Sequence, residues 1–378
     1  MRHVSRRVPV QAWASIGACS LLWIAFGSQI VGGARKHDFL NLYTGASLAL
    51  DGNFARLHDP AVQLERERRY VPELPALVPF VRPHFYAAAL APLALIPFAP
   101  AFWVWLGLQT LVLLLCWRWA FERWGPDALI FGALFLPTAL GIAHGQDCVL
   151  MLAILIASYT LAEREEWYWS GAALGLGLIK FHLFLLWPVA LILQKRWRML
   201  AGLSAAVAIE LSVCLLLAGP RGLQAYAALL QNKDIERLNP SPELMINVHS
   251  LALNLKFPSS GARFTLVAIV LLLLILTLRN APVWKMFCVT STGTLLVVPH
   301  VYGYDAGLLL LPLWLAIYCS TALWPRLAAT VLVTPLPFMM TLAGAPWAAT
   351  APLALLLFLL SMLVKSPPKH TPQNPVSS

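Results

Sequence analysis

Charge is what this sequence has least of. Asp, Glu, Lys and Arg make up 12% of it, and acids number only 17 in 378 residues. That scarcity excludes an ordinary soluble domain, in which about a quarter of the residues are charged. Cysteine is also sparse: Cys19, Cys116, Cys148, Cys214, Cys288 and Cys319 all fall in or beside apolar segments, and none shows CxxC spacing. A zinc or redox motif is thereby excluded by spacing, and the six read as small hydrophobes. No HExxH pair and no internal sequence repeat is visible, so neither a metal site nor a cofactor is expected. A single ion held between an acid and a phosphate would leave no sequence trace.

What fills the chain is apolar. Hydrophobic residues reach 59% and mean hydropathy is +0.72. Apolar stretches of roughly 17 to 25 residues, each enough to cross about 30 Å of hydrocarbon, recur from Val10 to Val364. The chain therefore reads as an all-α polytopic membrane protein with one integral domain, residues 1–364. The formal charge of +10 raises the question of nucleic acid. Lys and Arg, however, cluster in short linkers beside apolar spans, where the positive-inside bias and anionic lipid explain them. Membrane lipids are the expected surroundings, and nucleic acid is rejected.

The basic N-terminus precedes an apolar run from Gln11 to Gly32 that is too long for a signal h-region. An uncleaved signal anchor is the preferred reading, with cleavage near Gly32-Gly33-Ala34 as the alternative. Arg2, Arg6 and Arg7 put the N-terminus in the cytoplasm, so residues 33–84 form a first external loop. Arg35 and Lys36 run against the charge rule there, although long loops are exempt from it. Leu40, Tyr43, Ala46 and Leu50 recur near helical spacing, and Ala61 to Tyr70 can form a second short helix. Short amphipathic helices lying on the membrane surface are expected in this loop.

From His84 to Phe121, prolines 92, 97 and 100 interrupt the apolar run. It holds one crossing plus a re-entrant piece, or two crossings. One is preferred, from Phe102 to Phe121. Further spans follow near Ala128–Ala143, Cys148–Leu161, Trp169–Ile179, Phe181–Leu193, Leu200–Leu217, Phe264–Leu278, Trp284–Val298, Ala306–Leu323, Ala328–Leu342 and Ala348–Val364. The total is about twelve, with a second external loop at 219–263 and a disordered cytoplasmic tail at 365–378. Glu163 to Glu166, Lys195 to Arg198, Arg279 to Lys285 and Arg326 then all fall inside.

That threading gathers the remaining polar residues on one face. Asp38, Tyr43, Arg82 and His84 come from the first loop, and His144, Gln146 and Asp147 from the turn after Pro137. Lys180 and His182 come from a break between apolar runs; Asn247, His249 and Ser250 from the second loop; His300, Tyr302, Tyr304 and Asp305 from the turn after Pro299. Each alone has a plainer reading: a solvated carboxylate for Asp38, a helix break at Gly145-Gln146, a helix cap for Asp305. Lys180 is harder to explain away, since a cation in a span costs about 2.5 to 3.5 kcal/mol unless it snorkels or pairs. Glu210, inside an apolar span, reads as an interhelical hydrogen-bonding group rather than a proton path.

Together these residues describe a site at the outer membrane boundary, where a lipid tail stays in hydrocarbon while its charged head meets polar side chains. Arg82, Lys180 and the histidines, His300 among them, would bind a donor phosphate. Asp38 would take the proton of an attacking hydroxyl. Tyr43, His84, Gln146, Asn247, Ser250, Tyr304 and Asp305 are the candidate substrate contacts. A secondary transporter or lipid flippase is the alternative, although it would set its ionisable residues near the bilayer midplane. An envelope scaffold is a third reading.

At these residues the chain resembles a known family. The run His37-Asp38-Phe39-Leu40-Asn41-Leu42-Tyr43-Thr44-Gly45-Ala46 is one part of the likeness. Leu90 to Pro97 leading to Trp103, Gly145-Gln146, Gly175 to Lys180, Asn247-Val248-His249-Ser250 and Pro299-His300 to Asp305 supply the rest. In order and spacing they are similar to the polyprenol-phosphate-dependent membrane glycosyltransferases of family 87, which have the GT-C fold. The resemblance, from Asp38 to about Pro312, implies a GT-C-like helical bundle in a bacterial cytoplasmic membrane with its active site facing the periplasm. It also implies a polyprenyl-phosphate sugar donor, a lipid-linked or glycan acceptor, and inversion at the anomeric carbon. By the same likeness Asp38 is the base, and Lys180 and His300 lie where donor-phosphate contacts fall. Two departures leave the donor type open: Ala87-Ala88 replaces the paired prolines after Tyr86, and no Asn-Pro-Tyr follows Gly52-Asn53.

Overall fold

The computed structural model describes Gly17 and residues 38–232, 241–257 and 260–364. Apart from Gly17, the expected first span lies outside the described residues, as do residues 35–37 and the tail at 365–378. Every regular element among the described residues is helical, and the only strand-like pairing among them is a bridge between Met245 and Tyr302.

The chain runs through α1 (Asp38–Leu50), α2 (Pro60–Tyr70), α3 (His84–Leu90), α4 (Phe98–Trp124), α5 (Pro126–Leu134) and α6 (Leu136–Ala143). Next come α7 (Cys148–Glu163), α8 (Trp167–Gly175), a 3₁₀ segment (Leu176–Phe184), α9 (Trp187–Leu193) and α10 (Trp197–Leu230). The rest is α11 (Val248–Asn254), α12 (Ser260–Leu278), α13 (Val283–Val297), a 3₁₀ turn (Gly303–Leu309), α14 (Leu310–Cys319), α15 (Leu323–Val333), α16 (Leu336–Met339) and α17 (Thr350–Ser361).

By length and composition, α4, α10 and α12 can each cross a membrane, and the number rises to six if each bent pair of helices is one span. About twelve were expected. The difference lies in bends, in apolar helices of 10–17 residues, and in the first span, which falls outside the described residues. The span expected at Ala128–Ala143 is broken into α5 and α6 at 57°, and the two spans expected between Trp169 and Leu193 form one pair turned by 108°. Proline explains the first bend: Pro137 in the opening turn of α6 lacks the N–H a continuous helix would use. The 84–121 region resolves into α3, a short 3₁₀ piece at Ala91–Leu95 and the single long α4.

The first loop departs from the surface-lying helices expected of it. In α1 every residue from Phe39 to Ala49 except Asn41 is buried, so this helix is a core element. α2 buries its polar side: Gln63 bonds the carbonyls of Leu57 and Phe80 and accepts from Phe80 N, and Glu67 accepts from Val78 N. Periodicity located both helices; it could not tell that side chains satisfied by backbone groups would face inward.

Two apolar clusters result. A small one packs Phe39, Leu42, Tyr43, Leu57 and Phe80 with Phe102 and Trp105. The large one joins α4 to α17 around Trp187, Phe287 and Trp314. Leu150 and Ile179 pack against both. Within the large cluster, α8 and α10 approach to backbone contact. A Cβ on Gly171 would overlap the Met199 carbonyl, and one on Gly202 would overlap that of Tyr168, the small-residue packing that holds helices together in lipid. α10 breaks at Gly219 (φ 66°, ψ 178°), just before Pro220. Its last stretch then leans on the first loop, where Tyr226 donates to the Val81 carbonyl at 3.2 Å.

Candidate active site

The site lies where the two clusters meet. Asp38 stands in the first turn of α1, and the turn after α6 reaches it. Gly145 adopts φ +70°, and a Cβ there would press on Phe39 at 3.2 Å, so glycine is required for both the turn and the approach. Trp105 Nε1 donates to the Gly145 carbonyl at 2.7 Å and anchors that turn. The side chains flanking Gly145 close on the carboxylate: His144 Nδ1 lies 2.8 Å from Asp38 Oδ2, and Gln146 Nε2 donates to Oδ1 at 2.8 Å.

Behind Gln146 the polar groups are buried and paired. Lys180 Nζ donates to Gln146 Oε1 at 3.2 Å and Asp305 Oδ1 at 2.8 Å, and lies 3.1 Å from Asp147 Oδ1. Since an ammonium only donates and a carboxylate only accepts, the Gln146 amide can face only one way, oxygen to Lys180 and nitrogen to Asp38. Arg82 grips Asp147 with two bonds, 2.9 and 3.2 Å. Asp305 spends its second oxygen on Tyr302 N at 3.0 Å, so it caps its own turn and holds Lys180 at once. The lysine sits at a break in the 3₁₀ segment, φ −124° and ψ 62°, which turns it from the helix face into the cluster.

The arithmetic of charge decides what this cluster can do. Two cations, Arg82 and Lys180, face two carboxylates, Asp147 and Asp305, so the buried part is neutral. Lys180 is 2% exposed and Asp147 fully enclosed, whereas Asp38 is 23% and His144 30% exposed. Lys180 and Arg82 were expected to meet a phosphate from sequence. Here their charges are already matched, and a phosphate contact would require an ion pair to open.

The other expected contacts divide. Tyr304 joins the site, with its ring 5.4 Å from that of His144 and 5.7 Å from Lys180 Nζ. His300 lies beside it, 5.2 Å from the Tyr302 ring and 6.3 Å from that of His182. Tyr43 instead donates to the Ile96 carbonyl at 2.7 Å among Phe39, Tyr70 and Phe98. Asn247 caps α11 through Ser250 N and donates to the Val298 and Pro299 carbonyls. Ser250 donates to the Glu243 carbonyl. Asn247 thus shapes the turn that carries His300, Ser250 ties α11 to the segment before it, and neither bonds Asp38 or Lys180.

His84 belongs to a separate buried group. His58 Nε2 lies 2.9 Å from the Arg82 carbonyl and must donate to it, so His58 Nδ1 accepts from His84 Nε2 at 3.2 Å. Burial lowers the His58 imidazole to about 3, helped by its His84 neighbour, and the ring stays neutral. Glu210 finds no hydrogen-bond partner for either oxygen among the described residues, so the expected interhelical bond is absent. Sequence reasoning missed Cys148, whose sulfur lies 3.2 Å from Lys180 Nζ and 3.4 Å from Asp305. Its place directly after Gln146-Asp147 was the available signal.

A helical membrane protein with a half-open carboxylate and imidazole above a neutral ion cluster is the class defined so far. The family model of glycosyltransferase family 87 matches residues 80–299. That is more than half of the chain, and the protein belongs to this family; it is a glycosyltransferase. The matched stretch includes Arg82, Gln146 and Lys180 and leaves Asp38, His300 and Asp305 outside. Comparison with curated proteins and with solved structures gives no match.

Proposed function

We propose that this glycosyltransferase moves a sugar from a polyprenyl-phosphate donor to a hydroxyl of a lipid-linked or glycan acceptor. The reaction takes place at the periplasmic face of a bacterial cytoplasmic membrane and inverts the anomeric carbon. Asp38 provides the charge of the general base. The observation that carries this reading is the geometry round Asp38: a half-open carboxylate held by two donors from one turn, roofing an ion cluster whose own charges cancel. Among the described residues such a carboxylate is the one anion of the site with no matched cation, placed where a hydroxyl can arrive. The acceptor oxygen forms the new bond to the anomeric carbon, its proton goes to the base, and the bond to phosphate breaks with its electron pair leaving on the phosphate.

In this reading the donor phosphate lies towards His300, whose ring is 5.2 Å from that of Tyr302 and 6.3 Å from that of His182. Lys180 and Arg82 support the site from behind. The count of about twelve crossings belongs to the same proposal. It is approached if the shorter apolar helices Cys148–Glu163, Val283–Val297, Gly303–Cys319 and Trp347–Ser361 and a segment before Asp38 also cross. Membership of the family leaves the transporter and scaffold readings without support of their own.

The test is transfer from a radiolabelled polyprenyl-phosphate sugar by purified protein. Asp38→Asn keeps the shape and one acceptor oxygen but removes the charge. Loss of kcat by about 100-fold or more is expected, as for removal of a general base, with elution and unfolding like wild type. Undiminished transfer by Asp38→Asn would remove this carboxylate from the chemistry.

A further inference from the structure

We infer that His144 is a second catalytic residue of the transfer proposed above, and that its Nε2, rather than a carboxylate oxygen, takes the proton of the acceptor hydroxyl. The inference rests on that glycosyl-transfer reading and gives His144 a proton-transfer role in place of the phosphate contact expected of the histidines.

The argument begins with the 2.8 Å contact between His144 Nδ1 and Asp38 Oδ2. A carboxylate only accepts, so Nδ1 carries the hydrogen, and the neutral ring is left with its lone pair on Nε2. Among the described residues nothing hydrogen-bonds Nε2, and it is not an enclosed atom. The ring is nonetheless fixed: Asp38 holds one edge, Tyr304 lies 5.4 Å from it at an interplanar angle of 43°, and Trp105 anchors the next carbonyl. A fixed imidazole with one nitrogen on a carboxylate and the other open is arranged to take a proton.

Asp38 is arranged differently. Each of its oxygens already accepts a bond, Oδ1 from Gln146 and Oδ2 from His144. An arriving hydroxyl would therefore have to share a carboxylate oxygen with one of those donors, whereas Nε2 offers an unused lone pair. The same carboxylate behind an imidazole stabilises the imidazolium formed when the ring takes a proton. Imidazole is in general the stronger base of these two side-chain types. Among the described residues the other ionisable groups round the ring are Tyr302, Tyr304 and His300 on the neighbouring turn, and Lys180 behind Gln146. The positive charge of Lys180 is matched by Asp305 and Asp147, which leaves Asp38 as the counter-ion to an imidazolium.

The step balances as one displacement. The hydroxyl oxygen bonds to the anomeric carbon and its proton moves to Nε2. The carbon–oxygen bond to the phosphate breaks, and that electron pair leaves with the phosphate. Deprotonation of the imidazolium to water resets the site.

His144→Asn separates the two roles of the ring, because its amide can still donate to Asp38 where Nδ1–H stood but offers no basic nitrogen. His144→Gln and His144→Ala complete the series, all in the full chain and checked for wild-type elution and unfolding. His144→Asn is expected to lose about 100-fold or more in kcat, the scale of general-base catalysis, with donor KM changed by less than about 3-fold, since no uniform binding is lost. The acid limb of the wild-type kcat profile should be absent from His144→Asn, and added imidazole should restore part of the rate to His144→Ala. If His144→Asn works within about 3-fold of wild type with the same acid limb while Asp38→Asn is inactive, the ring only positions Asp38 and the inference falls, though the transfer reading stands. If both variants transfer at the wild-type rate, the inference and the placement of the active site fall together.

Discussion

Lys180 shows how a single side chain can be placed by its partners more than by its own preference. A buried ammonium between Asp147 and Asp305 is tolerable because both carboxylates are within 3.1 Å. Removing it strands two anions that Arg82 alone must balance. Lys180→Met is therefore expected to destabilise the fold by about 3 to 5 kcal/mol, the cost of breaking a buried pair. Thermal unfolding in detergent reads this directly, and the double variant with Asp305→Asn should recover part of the loss. Glu67, in the first loop and outside the spans, titrates in the opposite sense from an ordinary paired acid. Burial pushes its carboxyl from 4.5 up to about 7, so the folded chain holds the proton more tightly than the unfolded one. Its contribution is full below pH 4.5 and is lost as pH rises through about 7. Glu67→Gln keeps a carbonyl oxygen for Val78 N and should flatten the pH dependence of unfolding between 5 and 8.

Elements were legible in the sequence where the apolar period was clear, as in the helix expected at Ala61 to Tyr70 and found at Pro60–Tyr70; the bend beside Pro137 instead divides a stretch expected as one span. Burial was not legible. Asn41 is the only residue between Phe39 and Ala49 left outside the buried core of α1, and no periodicity of Leu40, Tyr43, Ala46 and Leu50 announces a helix covered on all sides. The site divided in the same manner. Asp38, Gln146, Lys180, Asp305 and Tyr304 meet as the clustering of polar residues implied, because polar groups in apolar surroundings must find one another. Tyr43, Asn247 and Ser250 turned to backbone carbonyls or amides, and a sequence does not reveal which partner a hydroxyl or amide will choose. The α8–α10 contact makes its own demand. Gly171→Val has no room against the Met199 carbonyl, and forced separation of the helices should cost at least the ~1 to 3 kcal/mol typical of overpacking. A lowered unfolding temperature for Gly171→Val, with no such loss for a valine at the open Gly107, is the expected pair of results.

At the scale of the molecule, orientation is the property that charge along the chain predicts and that packing alone leaves free. Arg56, exposed in the first loop, and Glu165, exposed after α7, belong on opposite sides of the bilayer in the proposed arrangement. Arg56→Cys should react with an impermeant maleimide on intact cells, and Glu165→Cys only after permeabilisation. The described cysteines are largely shielded, four of the five being buried. The length of α10 bears on the same arrangement: 34 residues extend about 51 Å at 1.5 Å per residue, well beyond the hydrocarbon, and the break at Gly219 divides the helix into a spanning part and a part that leans on the first loop. The meeting of the two apolar clusters has a pharmacological consequence. The charged oxygen and its donors are carried by different segments, α1 and the turn after α6, that touch through Phe39 and Gly145, so the chain can be disarmed by a wedge. A small greasy molecule lodged in that joint would spread the parts by an ångström or two and stop the chemistry without imitating a sugar, a phosphate or a lipid.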